Sequence, residues 1–136
     1  MNRPLYRKQY NVWRIYMDEI LLRLKILLDT KQIDEKNFQN IVKLIEIVEE
    51  ELLIIVSGEK GSMFVTHMAI ALMRIQKGEY VPPMDKDLLD EIESSIAYKS
   101  IPKVIDKIEQ ELNINIPESE RGYIALHLCN LQSTDN

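Results

Sequence analysis

Apolar residues along this chain recur at intervals of three and four, the spacing that lays one buried stripe along a helix. Trp13, Tyr16, Ile20, Leu24, Leu27 and Leu28 form the first stripe, which predicts a helix ending near Asp29. Ile20, Leu21, Leu22, Leu24 and Ile26 make that helix apolar on more than one side. It must therefore bury both sides, or keep one for a partner. Asp34 suits the N-cap of a second helix, striped by Phe38, Ile41, Val42, Ile45, Val48 and Leu52, with Glu46, Glu49 and Glu50 mostly opposite. The run Leu52 to Val56 has a strand-like composition but continues the stripe without a turn signal, so the helix is expected to continue through it.

Ser57-Gly58 and Lys60-Gly61 then break the pattern. A third helix is expected from about Ser62 to Lys77, with Gly78 as its stop. Pro82-Pro83 forces a loop. Asp85 or Asp87 can cap a short fourth helix through Leu88, Leu89, Ile92 and Ile96. Ser100 is placed as the cap of the fifth, whose stripe of Ile101, Val104, Ile105, Ile108 and Leu112 is the most regular in the chain. Asn113 to Ile116 reads as a turn. Pro117 suits the first position of the sixth helix, Glu118 and Glu120 favour its positive end, and the helix should run to about Leu131. The expected class is all-α.

Composition supports one globular unit: 136 residues, 46 % hydrophobic and 29 % charged. The net charge of −5 is uneven, because Arg3, Arg7, Lys8 and Arg14 precede the first acid. Residues 1–10 are expected to be a flexible basic start, followed by a single domain over 11–132. The acidic body suits neither a phosphate backbone nor direct nucleic-acid binding. Cys129 is the only cysteine, so no internal disulfide can form. The N-terminus lacks a signal-peptide pattern and no uncharged run could span a membrane, so a cytoplasmic protein is expected.

The candidate chemistry lies in the third and sixth helices. Met63, Phe64, His67 and Met68 occupy the same relative slots as Tyr123, Ile124, His127 and Leu128. Both histidines of the chain thus fall in apolar stripes, and facing stripes would put two imidazoles in one cleft. A histidine so placed is most often a core residue with a satisfied nitrogen. Zinc would need a third ligand, and Cys129, two residues past His127, points elsewhere on a helix. No metal or other cofactor is expected. The chain lacks a nucleophile elbow, a dinucleotide fingerprint and a phosphate-binding loop. Phosphoryl chemistry on imidazole itself remains. Arg74 follows His67 by two turns, about 10 Å along the axis, and either leans toward a phosphate or pairs with an acid or the helix end.

The segments THMAIALMRIQKGE and IPESERGYIALHL resemble the two histidine motifs of the PTS regulation domain, a family controlled by the phosphoenolpyruvate:sugar phosphotransferase system. The resemblance covers roughly Phe38 to Leu131, including the order of the intervening helices. It implies a bundle of five core helices, here with an extra N-terminal helix, that forms a homodimer. It implies phosphorylation of His67, His127 or both, by the phosphocarrier protein HPr or a sugar-specific enzyme II component. Arg74 matches the family's arginine after the first histidine, and Glu120 its acid before the second. Thr66 and Tyr123 would also neighbour the phosphoryl group. Thr66 stands where the family often has aspartate.

These features together predict a free-standing, non-enzymatic regulator or adaptor. It would control sugar-catabolic gene expression or a partner protein through histidine phosphorylation. The alternative is a purely structural interaction or dimerisation module on the same fold.

Overall fold

The computed structural model describes the backbone of residues 11–133 and the side chains of residues 19–133. Trp13, Tyr16 and the basic residues Arg3, Arg7, Lys8 and Arg14 lie outside the described side chains. The described elements are helices: α1 (Asn11–Asp29), α2 (Glu35–Leu52), α3 (Gly58–Lys77), α4 (Lys86–Glu93), a 3₁₀ turn (Ile96–Ser100), α5 (Ile101–Leu112) and α6 (Glu118–Gln132). This is the expected all-α bundle, five core helices and one more at the N-terminus.

Local chemistry sets most of the boundaries. Asp34 caps α2 by accepting the Asn37 N–H at 2.9 Å, and Asp85 caps α4 through Leu88 N–H. Gly78 ends α3 with φ +71°, and its N–H returns to the last carbonyls. Two expected helix ends move, and the start of α3 moves back from Ser62 to Gly58. First, α2 stops at Leu52 instead of running through Leu52–Val56. Leu53 adopts φ +55°, a costly conformation for leucine, with its side chain in solvent. The turn is held by Glu49, fully buried, whose carboxylate accepts the Val56 N–H at 3.0 Å. Second, α4 ends at Glu93 rather than reaching Ile96, which is exposed. Ser94 and Ser95 turn their hydroxyls onto the carbonyls of Glu91 and Ile92 and compete with a further helical turn. Ser100 precedes α5 but makes no capping bond, and Pro117 is the residue before α6.

Gly61 is not a breaker. It is buried in the first turn of α3, where a Cβ would fall 3.0 Å from the Val56 carbonyl carbon. The absent side chain lets α3 start at Gly58 and pass close to the preceding loop.

The bundle carries an internal correspondence at an offset of sixty residues, which the shared histidine pattern only hinted at. Ile41, Leu44, Ile45 and Val48 are buried in α2, as are Ile101, Val104, Ile105 and Ile108 in α5. Leu53 and Asn113 both take the left-handed turn. Glu49 holds Val56 N–H, and Glu109 holds Ile116 N–H at 2.8 Å. Each element packs on its own equivalent, α2 on α5 and α3 on α6. The arrangement is therefore an approximate twofold pairing of two helical hairpins, and α4 with the 3₁₀ turn connects them.

Ile20 and Leu24 of α1 are fully buried and Leu27 nearly so, packed with α2 and α3 into the common core. Leu22 and Ile26 stay exposed on its other side. So α1 buries one face in its own fold. Leu24→Ala should cost about 2–5 kcal/mol by cavity formation. A urea midpoint unchanged in this variant would show that α1 is dispensable to the core.

Candidate functional site

The site follows from the antiparallel packing of α3 on α6. His67 and His127, the equivalent residues of the two hairpins, meet face to face. Their ring centroids are 4.2 Å apart and their planes 8° from parallel. Seven residues further along α3 and seven back along α6, Arg74 meets Glu120. Arg74 Nε donates to Glu120 Oε2 at 2.8 Å and a terminal nitrogen donates to Oε1 at 3.0 Å. Seven residues back along α3, Lys60 donates to the carbonyl oxygen of Ser133, at the far end of α6. Three contacts spaced by two helical turns thus fix one register, with the histidines in the middle.

The surroundings of the two rings differ. His67 is exposed and His127 half-buried, so the pair lies at a rim and not in the buried cleft expected for both. Burial holds the His127 imidazole down at about 4, against an ordinary value of 6.5, and the nearby His67 and Arg74 add to this while Glu120 opposes it. His127 is therefore a neutral imidazole near pH 7, with a lone pair available. A groove of about 410 Å³ opens beside the stack, lined by Lys60, Met63, Phe64, both histidines and Asn130.

The other expected site residues fall as follows. Arg74 does not lean free toward the rings. Its bond to Glu120 is the main cause of its raised pKa, with smaller contributions from Glu79 and Tyr123. Glu120 is 1 % exposed and the Arg74 side chain 30 %, so the acid depends on this partner for its compensation. Thr66 gives its hydroxyl to the Ser62 carbonyl of its own helix at 2.9 Å. Tyr123 is half-buried on α6 within the field of Arg74. Lys60 and Asn130 were not anticipated. The signal for Lys60 was present, since it precedes His67 by the interval at which Arg74 follows it. Among the described residues no group of three or more His, Cys, Asp and Glu side chains could hold a metal ion. No described helix is long and apolar enough to cross a membrane.

Paired motif histidines on two equivalent, antiparallel helices define a class of all-α domain. A family profile, the PRD domain, matches residues 42–131. The uncharacterized protein YhfY of Escherichia coli (strain K12) is 30 % identical over 114 residues, covering 84 % of this chain and 95 % of its own length. Protein GlcT of Staphylococcus aureus (strain JH9) is 28 % identical over 102 residues, 71 % of this chain. The chain spans 36 % of the length of GlcT. No solved structure gives a significant match. The chain belongs to the PRD, or PTS regulation domain, family, and its role is a regulatory one related to that system. The helix α1 and the start of α2 precede the matched segment.

Two measurements test this geometry. The unfolded chain takes up a proton on His127 from about pH 6.5 downward, while the fold resists it until about pH 4. This contribution to stability is complete above pH 6.5 and is lost as the pH falls toward 4. In urea titrations, His127→Gln should therefore lose less stability than the parent between pH 7 and pH 4.5. Arg74→Met strands a buried carboxylate and should cost about 3 kcal/mol. Adding Glu120→Leu should recover most of that loss. Equal destabilisation in the single and double variants would contradict the pairing.

Proposed function

We propose that this chain is a phosphorylation-responsive regulatory domain of the phosphoenolpyruvate:sugar phosphotransferase system, with His67 and His127 as the phosphoryl acceptors. The observation that carries the reading is the stacked imidazole pair at the rim of a groove, with a cation two turns to either side. The phosphoryl donor is HPr or a sugar-specific enzyme II component. An imidazole nitrogen lone pair forms a bond to phosphorus as the donor's own bond to that phosphorus breaks. The exposed His67 is the first acceptor, because a donor protein reaches it without moving a helix.

The group adds close to two negative charges. Both nearby cations are already engaged at opposite ends of α6, Lys60 with the Ser133 carbonyl and Arg74 with Glu120. The new anion competes for them. Drawing Arg74 away leaves Glu120 buried without its partner, which favours a shift of α6 against α3. Met63 and Ile70 are exposed to either side of His67 along α3. A second copy of the chain, or a regulatory partner, seated on that face would cover His67, and modification would repel it. The outcome is control of sugar-catabolic gene expression or of a partner protein by sugar supply.

The test is to incubate the protein with phosphoenolpyruvate, enzyme I and HPr, and separately with enzyme II components, and to follow its intact mass. One acid-labile phosphate or more is expected, absent from the His67→Ala/His127→Ala variant and formed more slowly in Lys60→Ala. If no donor adds acid-labile phosphate while His67→Ala alters only stability, the domain is a structural module and the switch is wrong.

A further inference from the structure

A second cavity, of about 420 Å³, lies away from the histidines, where the first turns of α2, the end of α3 and the turn between α5 and α6 meet. One chain of hydrogen bonds fixes the amides beside it. The Asp34 carboxylate caps α2 and accepts from Asn37 N–H and from Gln76 Nε2, the latter at 2.6 Å. These bonds, the Asn37 N–H first, hold its pKa below the ordinary value, so near neutral pH it only accepts. The Gln76 amide nitrogen must therefore face Asp34, and its Oε1 must face Asn37. Asn37 Nδ2 in turn donates to Gln76 Oε1 at 2.9 Å and contacts Met73 Sδ. With both amide orientations settled, Asn37 Oδ1 can only be an acceptor. Asn37 is 2 % exposed, and no donor among the described residues reaches that oxygen.

A buried acceptor left unpaired costs about 1–3 kcal/mol, and native folds rarely tolerate it without a reason. Asn37 lines the cavity, together with Lys36, Asn40 and Asn115, whose side chains make no hydrogen bond among the described residues. Leu72 and Ile114 add apolar wall. We propose that this cavity binds a small hydroxyl-rich molecule, a sugar or sugar phosphate, one of whose hydroxyls donates to Asn37 Oδ1. Carboxamides suit such a ligand because each both donates and accepts, as a hydroxyl does. The aliphatic wall suits the C–H face of a sugar ring, and Lys36 at the mouth suits a phosphate substituent. A purely apolar ligand would leave the buried oxygen unpaired. The cavity lies in the ordinary size range for small-molecule sites. Nothing in this site requires that the histidines be phosphorylated.

The test is an amide-resolved NMR titration of the full chain with a panel of hexoses, hexitols and their phosphates, with inorganic phosphate as a separate arm. At least one member should give saturable shifts confined to the turns around Asn37, Gln76 and Asn115. Asn115→Ala and Lys36→Ala alter exposed residues and should leave the melting temperature of the free protein unchanged. Asn115→Ala should weaken binding of every active member about tenfold, or 1.4 kcal/mol. Lys36→Ala should weaken only the phosphorylated ones. No saturable shift with any member at millimolar concentration, shifts centred elsewhere, or inorganic phosphate matching the sugars would overturn the site and leave Asn37 Oδ1 to solvent water.

Discussion

The register of α3 against α6 is the constraint on which the site depends. Apolar packing between two long helices constrains their register, and a buried ion pair constrains it further. Here the bidentate Arg74–Glu120 pair lies at one end of the contact and Lys60 on the Ser133 carbonyl at the other, with the stacked rings between them. Because Glu120 is buried, a slip that parts it from Arg74 leaves an uncompensated charge out of water. The apolar side chains on the same two helices, Phe64, Met68, Ile124 and Leu128 among them, supply the apolar burial.

The helical stripes were legible because every core helix buries one face, and the periodicity of Ile101 to Leu112 survives intact in the structure. Equivalent turns show where legibility fails. Asn113 enters the left-handed conformation easily, and the turn after α5 could be read from the residue itself. Leu53 enters the same conformation sixty residues earlier with no local reason, forced by Glu49 gripping Val56 from within the core. Gly61 misled in the opposite sense. Its meaning was close packing within a helix, which is a tertiary fact.

At the site, the juxtaposition of the histidine helices was foreshadowed by the repeated pattern around His67 and His127. The ionic partners were not. Arg74 had 22 acids to choose from, and no helical spacing links residues 46 positions apart. Lys60 was passed over because the neighbouring glycine suggested a break, which put it in a loop, off the helix that carries His67. The exposure of His67 could not be read from its apolar stripe either, since it depends on how α6 packs against α3.

The near-parallel rings also limit what the two histidines can do together. A nitrogen lone pair lies in the plane of its imidazole, so in an 8° stack neither ring aims a lone pair at its neighbour. In-line displacement at phosphorus needs such an aim. A phosphoryl group attached to one ring, as the proposed function requires, could not hop to the other while the stack persists, so the two rings would act as separate acceptors and not as a relay. On the proposed function, modification of one ring would reach the other only through space, across 4.2 Å, and not as a transferred atom.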